Sequence, residues 1–367
     1  MKIPFNYLPL QFKNTSIFFR EWKKLIKSCE FTLGPYVKKF EKNFSKFIGI
    51  KYCVSTNNGT DALVLALKSL NIKKGDEVIT VCNSFYATAG AIVACGAKPV
   101  FVDCDERYQI DINKIEKKIT KKTKVIMPVH WGGASPDMKK IMNISKKYNL
   151  KVVEDACMGI GAKIKNKKPG TFGHVNAFSM HPLKSLNVMG DGGMVVTNNT
   201  KIARWLKRYR NHGMINRDQI IEWGENKRLQ PLQAVVADIE LKRVNLIISK
   251  RNKNAKIFDK KLSKIKFIKV PKRENKNIET FALYMARFKK RDKLKKYLIK
   301  NGIEVKIHYP IPLHLQKASK ILGYKKGNFP EAEKQANELL TLPVHQYLSK
   351  KQINFIVQKI ENFYNKQ

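Results

Sequence analysis

Short apolar runs alternate with amphipathic stretches along most of the chain. Residues 16–29 place Ile17, Phe18, Trp22, Leu25 and Ile26 at helical spacing, and Val37, Phe40, Phe44 and Phe47 repeat that pattern after the Gly34-Pro35 turn. Tyr52 to Ser55, Val78 to Val81, Lys98 to Asp103, Val125 to His130 and Lys151 to Asp155 read as strands. Helices are predicted between and after them, over Ala62–Leu70, over Ala89–Ala97 and in a lysine-rich stretch following Ile110-Asp111. Strands that are apolar nearly throughout, alternate with helices and end in polar loops predict a doubly wound, mainly parallel α/β sheet with ligands at its carboxyl edge. Farther on, Met194–Thr197 is a strand, Ile202–Tyr209 a basic helix, and Arg243–Leu262 a long helix. A smaller α/β unit follows, with strands at 265–268 and 280–285, a helix to Asn301 and a terminal helix from Gln352 to Phe363. The expected division is a large domain over 1–245 and a small C-terminal domain over 246–367.

With 367 residues and 43% hydrophobic content the chain can bury a large core. A formal charge of +43 first suggests nucleic acid or an anionic membrane. The lysines, however, recur along the whole chain, as in Lys117-Lys118, Lys146-Lys147 and Lys260-Lys261, with no single basic stripe interleaved with aromatics. Diffuse compositional bias predicts no specific nucleic-acid partner. The six cysteines show no Cys-x-x-Cys spacing, so no metal is expected and free thiols in a reducing cytoplasm are. Residues 78–97 are uncharged and long enough to cross a bilayer, but their asparagine, threonines and glycines favour a strand, loop and helix, and no membrane association is expected. The first residues lack the apolar core of a signal peptide.

The candidate chemistry centres on residues 171–197. Most lysines of this chain sit in runs of other lysines, but Lys184 has Pro182, Leu183, Leu186, Val188 and a glycine-rich turn around it. A lone loop lysine is most often a surface group. Among apolar neighbours it can lose its proton near neutral pH and attack a carbonyl. Ser179, five residues earlier, offers a hydroxyl to a phosphate, and Asp155 ends a buried strand. A covalent lysine, a phosphate cup and an acid for a pyridinium nitrogen are the three parts that a pyridoxal 5'-phosphate (PLP) enzyme needs. Thr56-Asn57-Asn58-Gly59-Thr60-Asp61, a turn into a helix N-terminus after a strand, is a ready anion site.

These residues, with Phe85-Tyr86-Ala87-Thr88, Gly224-Glu225-Asn226-Lys227-Arg228 and His308-Tyr309-Pro310, agree in order and spacing with a known pattern. The chain resembles the DegT/DnrJ/EryC1/StrS family of sugar aminotransferases, which have the type I aminotransferase fold, and the resemblance covers nearly all of it. It implies PLP on Lys184 with Asp155 on the ring nitrogen, Gly59, Thr60 and Ser179 at the phosphate, and Phe85 stacked on the ring. It further implies that the 31–35 loop, with Thr32 and Leu33, lies near the substrate, as do His308 and Tyr309; His130 either lines the site or is structural. Asn226 would reach the cofactor phosphate of the other subunit of a homodimer with shared active sites. The implied reaction moves an amino group from an amino acid, usually glutamate, to a keto sugar, usually nucleotide-linked. One position departs from the family: Met158 stands where Gln or His commonly touches the ring oxygen, and a thioether donates no hydrogen bond. The rival readings are a sugar dehydratase of the same family, which has His for the lysine, and a basic binding protein without enzyme activity.

Overall fold

The computed structural model describes residues 1–365; residues 366–367, the end of the expected small domain, lie outside them. The chain begins with a short helix, α1 (Leu8–Gln11), and two amphipathic ones, α2 (Ser16–Ser28) and α3 (Gly34–Ile48). Their apolar residues recur every three or four positions, so each buries one stripe: Phe18 and Leu25 in α2, Val37, Phe40 and Phe44 in α3. Gly49 ends α3 at φ 85°, a left-handed value that glycine adopts without a Cβ penalty.

Strands and helices then alternate: β1 (Tyr52–Thr56), α4 (Gly59–Lys68), β2 (Glu77–Val81), α5 (Tyr86–Ala94), β3 (Lys98–Val102), β4 (Thr123–Met127), α6 (Met138–Lys147) and β5 (Lys151–Asp155). A two-residue β6 (Lys163–Ile164), then β7 (Val175–Ser179), β8 (Gly193–Thr197) and α7 (Thr200–Tyr209) follow. Seven of these strands form one sheet in the order β1-β8-β7-β5-β4-β2-β3. From β7 to β3 all neighbours are parallel, and β8 runs antiparallel to both of its neighbours. Both faces are covered. Phe178, Met194 and Val196 join the core beneath α3, while Ala177 and Val195, one residue out of phase, join the core beneath α4. Each fully buried Val, Leu or Phe side chain contributes about 1.5–3 kcal/mol, which makes a one-residue slip of these strands prohibitive.

After α8 (Pro231–Leu241), helix α9 (Val244–Leu262) spans two cores: Val244 and Ile248 pack with the large sheet, Ala255, Phe258 and Leu262 with a second cluster. That cluster surrounds a three-stranded sheet of β9 (Ile268–Lys269), β11 (Tyr284–Phe288) and β12 (Leu339–Leu342), in the order β12-β11-β9. The short β10 (Asn277–Ile278) pairs instead with β6. Helices α10 (Arg291–Lys300), α11 (Pro330–Glu338) and α12 (Lys350–Asn365) complete the chain. Ile3 bridges to Ile303 and is buried in this second core, so the N-terminus reaches across from the large sheet.

Three local expectations are corrected. The lysine-rich helix after Asp111 is only two 3-10 turns, at Ile112–Lys114 and Glu116–Lys118; the segment is too short for a cooperative helix and buries a single isoleucine, Ile115. The 125–130 strand stops at Met127 because Pro128 has no N–H for the ladder. The strand expected at 280–285 begins only at Tyr284; the N–H groups of Thr280 and Leu283 instead bond Gly133 and Gly132 (3.0 and 3.1 Å). Among the described residues no helix is long and apolar enough to cross a membrane.

Candidate active site

The carboxyl edge of the large sheet gathers the ends of β2, β4, β5 and β7, the start of the antiparallel β8 and the turn from β1 into α4. A cavity of about 280 Å³ opens there, and Gly59, Thr60, Phe85, Asp155, Met158, Ser179, Lys184, His308 and Tyr309 all line it. Nine of the residues expected in the site are therefore brought together from segments up to 250 positions apart, the span from Gly59 to Tyr309.

Lys184 sits in a loop pinned from below. Leu186 and Val188 are fully buried, Ser185 donates to the Ile160 carbonyl (2.7 Å), and the Lys184 N–H bonds the His181 carbonyl (2.8 Å). Burial pushes the Lys184 ammonium below the usual lysine range, while Cys157 and Asp155 nearby act in the opposite sense. The lysine thus becomes a free amine more readily than those in the surface runs. Its loop is also held from the other end of the chain: the Tyr7 hydroxyl donates to the Lys184 carbonyl (3.2 Å), and buried Arg251 of α9 donates to that hydroxyl (2.7 Å).

Asp155 ends β5 and is 3% exposed. Its Oδ2 accepts from the Thr88 hydroxyl (2.7 Å), which lies 2.5 Å from the Ser84 hydroxyl, and its Oδ1 accepts the Cys157 N–H (3.2 Å). Ser84 and Thr88 belong to the turn and first residues of α5. A carboxylate fixed by neutral donors keeps its charge available to a cation that binds beside it. In the sequence this segment stands out for its aromatic; the only local trace of the hydroxyl pair is its four-residue spacing at a helix start.

At α4, Asn58 caps the helix by accepting the Asp61 N–H (2.7 Å). Gly59 faces Ser179 so closely that a Cβ on it would lie 2.6 Å from the serine Cβ. A Cβ on Gly193, at the start of β8, would come 2.1 Å from the Asn58 carbonyl oxygen. The cradle between α4 and Ser179 therefore exists only because both positions are glycine. Phe85 keeps 45% of its surface exposed, a free ring face at the cavity, with Tyr86 and Tyr309 at 5.2 and 6.1 Å. Burial, followed by the charges of Lys306 and Lys184, drops His308 to about 4, so it is neutral at pH 7 and its Nδ1 pairs with the Thr341 hydroxyl (2.9 Å). Burial likewise pushes Tyr309 up to about 12, leaving a protonated phenol.

Four of the expected residues lie elsewhere. His130 is fully buried between Ser135 and Glu154 (2.9 Å to each) and does not line the cavity. Glu154, on the face of β5 opposite Asp155, also accepts the N–H groups of Gly170, Phe172 and Gly173 (2.8, 2.7 and 2.7 Å), so the pair organises the loop before β7. Thr32 is exposed and Leu33 half-buried at the start of α3, away from the cavity of their own chain. Asn226 is exposed on an arm, residues 211–228, where it bridges to Asn211. That arm carries exposed Ile215, Ile220, Ile221 and Trp223, the last 87% exposed.

A buried group of metal-ligand types, Cys82, Asp103 and Cys104, lies outside the site. The Asp103 oxygens already accept from Lys114 and from the N–H groups of Cys104, Glu331 and Ala332, and burial pushes the Cys104 thiol up, so the group is structural.

The chain matches the DegT/DnrJ/EryC1/StrS aminotransferase family over residues 14–361. It is similar to a pleiotropic regulatory protein of Geobacillus stearothermophilus, with 38% identity over 93% of this chain and 92% of that one. It is also similar to UDP-2-acetamido-2-deoxy-3-oxo-D-glucuronate aminotransferase of Pseudomonas aeruginosa, with 36% identity over 93% and 94% of the two chains. Among solved structures it is similar to NtdA of Bacillus subtilis with bound cofactor PMP, at a TM-score of 0.91 and 29% identity over 98% of this chain and 85% of that one.

Proposed function

Because the chain belongs to the DegT/DnrJ/EryC1/StrS aminotransferase family, we propose that it moves an amino group from glutamate to a nucleotide-linked keto sugar, with PLP as cofactor, for amino-sugar biosynthesis. The observation that carries this reading is the meeting of Lys184, Asp155 and the Gly59–Ser179 cradle in one cavity. The residues present fit PLP. The glycine cradle leaves room for a phosphate beside free N–H groups of α4, the half-exposed Phe85 offers a ring face, and Asp155 presents a fixed carboxylate.

PLP, when bound, supplies a carbonyl for amines and a conjugated ring that accepts electron density from a carbon losing its proton. Lys184 Nζ would hold the cofactor at rest and, as a free amine, would be the group to take the proton from the donor Cα and to give it back in the second half of the transfer. The lowered proton affinity of this buried amine suits it to both halves of that transfer. Asp155 would keep a bound ring nitrogen in its cationic form, and Ser84 and Thr88 hold Asp155. Tyr7 and Arg251 keep the Lys184 loop seated while Nζ moves. The protonated Tyr309 and neutral His308 face the cavity where an acceptor sugar would sit and offer neutral hydrogen bonds to its hydroxyls. Retention of Lys184 opposes the dehydratase alternative, and the assembled site opposes an inert binder. Residues 1–245 and 246–367 serve as the large and small domains, and the protein works in the cytoplasm.

Incubation with PLP, glutamate and a panel of nucleotide-linked keto sugars should release 2-oxoglutarate in proportion to an aminated sugar. Release of 2-oxoglutarate with none of the panel aminated restricts the failure to the acceptor; no half-reaction with any amino acid rejects the transaminase assignment.

The exposed apolar arm and the absence of Asn226 from its own cavity support a homodimer in which each site takes Lys184 from one chain and Asn226 from its mate. Lys184→Ala and Asn226→Asp homodimers should each be nearly inactive. Random reassortment makes about half the dimers mixed, each with one undamaged site, so roughly a quarter of wild-type activity should return. No recovery after verified subunit exchange, given a severely impaired Asn226→Asp homodimer, would remove Asn226 from the shared site.

A further inference from the structure

Lys227 separates Asn226 from Arg228 on the arm, and its side chain is 14% exposed. The ammonium is bonded to Asp61 and to Glu225 (2.8 Å). Burial pulls its proton affinity down, but these two bonds outweigh that and leave it above the usual lysine range, so it is a cation at pH 7. Glu225 in turn accepts from Lys68 (2.7 Å), which also bonds the Tyr209 hydroxyl (2.7 Å). The arm is thereby tied to α4 at both ends of that helix.

Asp61 is the third residue of α4, directly after Gly59 and Thr60 of the cavity wall. A carboxylate in the first turn stabilises the helix through its dipole, yet it opposes any anion bound at the same end. Asn58 satisfies part of the Asp61 carboxylate by donating to it (2.9 Å), but an amide carries no charge to cancel. The cation that meets Asp61 is Lys227.

We propose that Lys227 is a positioning residue for the cofactor phosphate: by pairing with Asp61 it cancels the negative charge in the first turn of α4 and leaves that helix end attractive to an anion. This rests on the PLP reading above. The same three-residue stretch then serves two sites, Lys227 acting on its own chain's α4 while Asn226 extends outward.

The test is titration of cofactor-free full-length protein with PLP, followed by visible absorbance, at low and at high salt. Lys227→Met should raise the PLP dissociation constant about fivefold or more, the larger effect at low salt, as expected for one uncancelled charge in a first helical turn. Lys227→Arg should remain near wild type. The double variant Asp61→Asn, Lys227→Met should recover wild-type affinity, and Asp61→Asn alone should tighten binding because a negative charge leaves the first turn of α4 while Lys227 stays in place, paired with Glu225 only. If Lys227→Met does not fold, Lys227→Gln carries the same comparison, and the Asp61→Asn arm stands independently. Unchanged affinity in the Lys227 variant, no rescue by Asp61→Asn, or weaker binding in Asp61→Asn overturns the proposal. A wild-type protein that binds no PLP refutes the functional reading instead, before any variant is compared.

Discussion

Lys184→Ala should abolish the visible absorption of the PLP-loaded protein and lower transamination about 10³-fold, with the fold intact. Two losses combine. On the proposed reading the covalent tie to the cofactor disappears, and with it the amine that would carry the proton, an effect of about 10²–10⁴ by itself. The loop should stay in place, because Leu186, Val188 and the Ser185–Ile160 bond anchor it independently of the lysine side chain. Borohydride reduction of the wild-type protein, followed by peptide mapping, gives the complementary result: the cofactor should be found on the peptide containing Lys184. A label on any other lysine would move the site elsewhere.

Asp155→Asn should fold, bind PLP and still lose about 10²–10³ in turnover, because a fixed charge aimed at a developing ionic centre contributes on that scale. Asparagine separates charge from shape. It can still meet the Thr88 hydroxyl and the Cys157 N–H, which Asp155 holds in the wild type. Alanine would leave those donors unpaired in a buried setting, at a further cost of about 1–3 kcal/mol of stability. Both variants should therefore be slow, but only Asp155→Ala should also melt earlier. A rate for Asp155→Asn within a few-fold of wild type would place the acid elsewhere.

The local pattern of the chain was sufficient for the alternation of strands and helices, for the carboxyl-edge location of the site and for the unusual setting of Lys184. Each depends on neighbours within one element. Period-2 alternation in β5 already separated Asp155 from Glu154, and the Pro182 and glycine boundaries isolated the lysine loop. What depended on register between distant segments was not legible. Tyr7, Lys184 and Arg251 meet because the N-terminus, a sheet-edge loop and α9 converge, and none of the three shows a local trace of the others. His130 follows the end of β4 and Glu154 lies in β5, and only the contact of this segment with β5, through the Val129–Asp155 bridge, turns the imidazole toward Glu154 rather than the cavity. Lys227 carries no local mark of a partner in the sequence; only the folding of the arm back on α4 sets it against Asp61. Short-range periodicity reports which face of an element is buried; it carries no information about which other element covers that face, and that choice decided how each group lining the cavity is held.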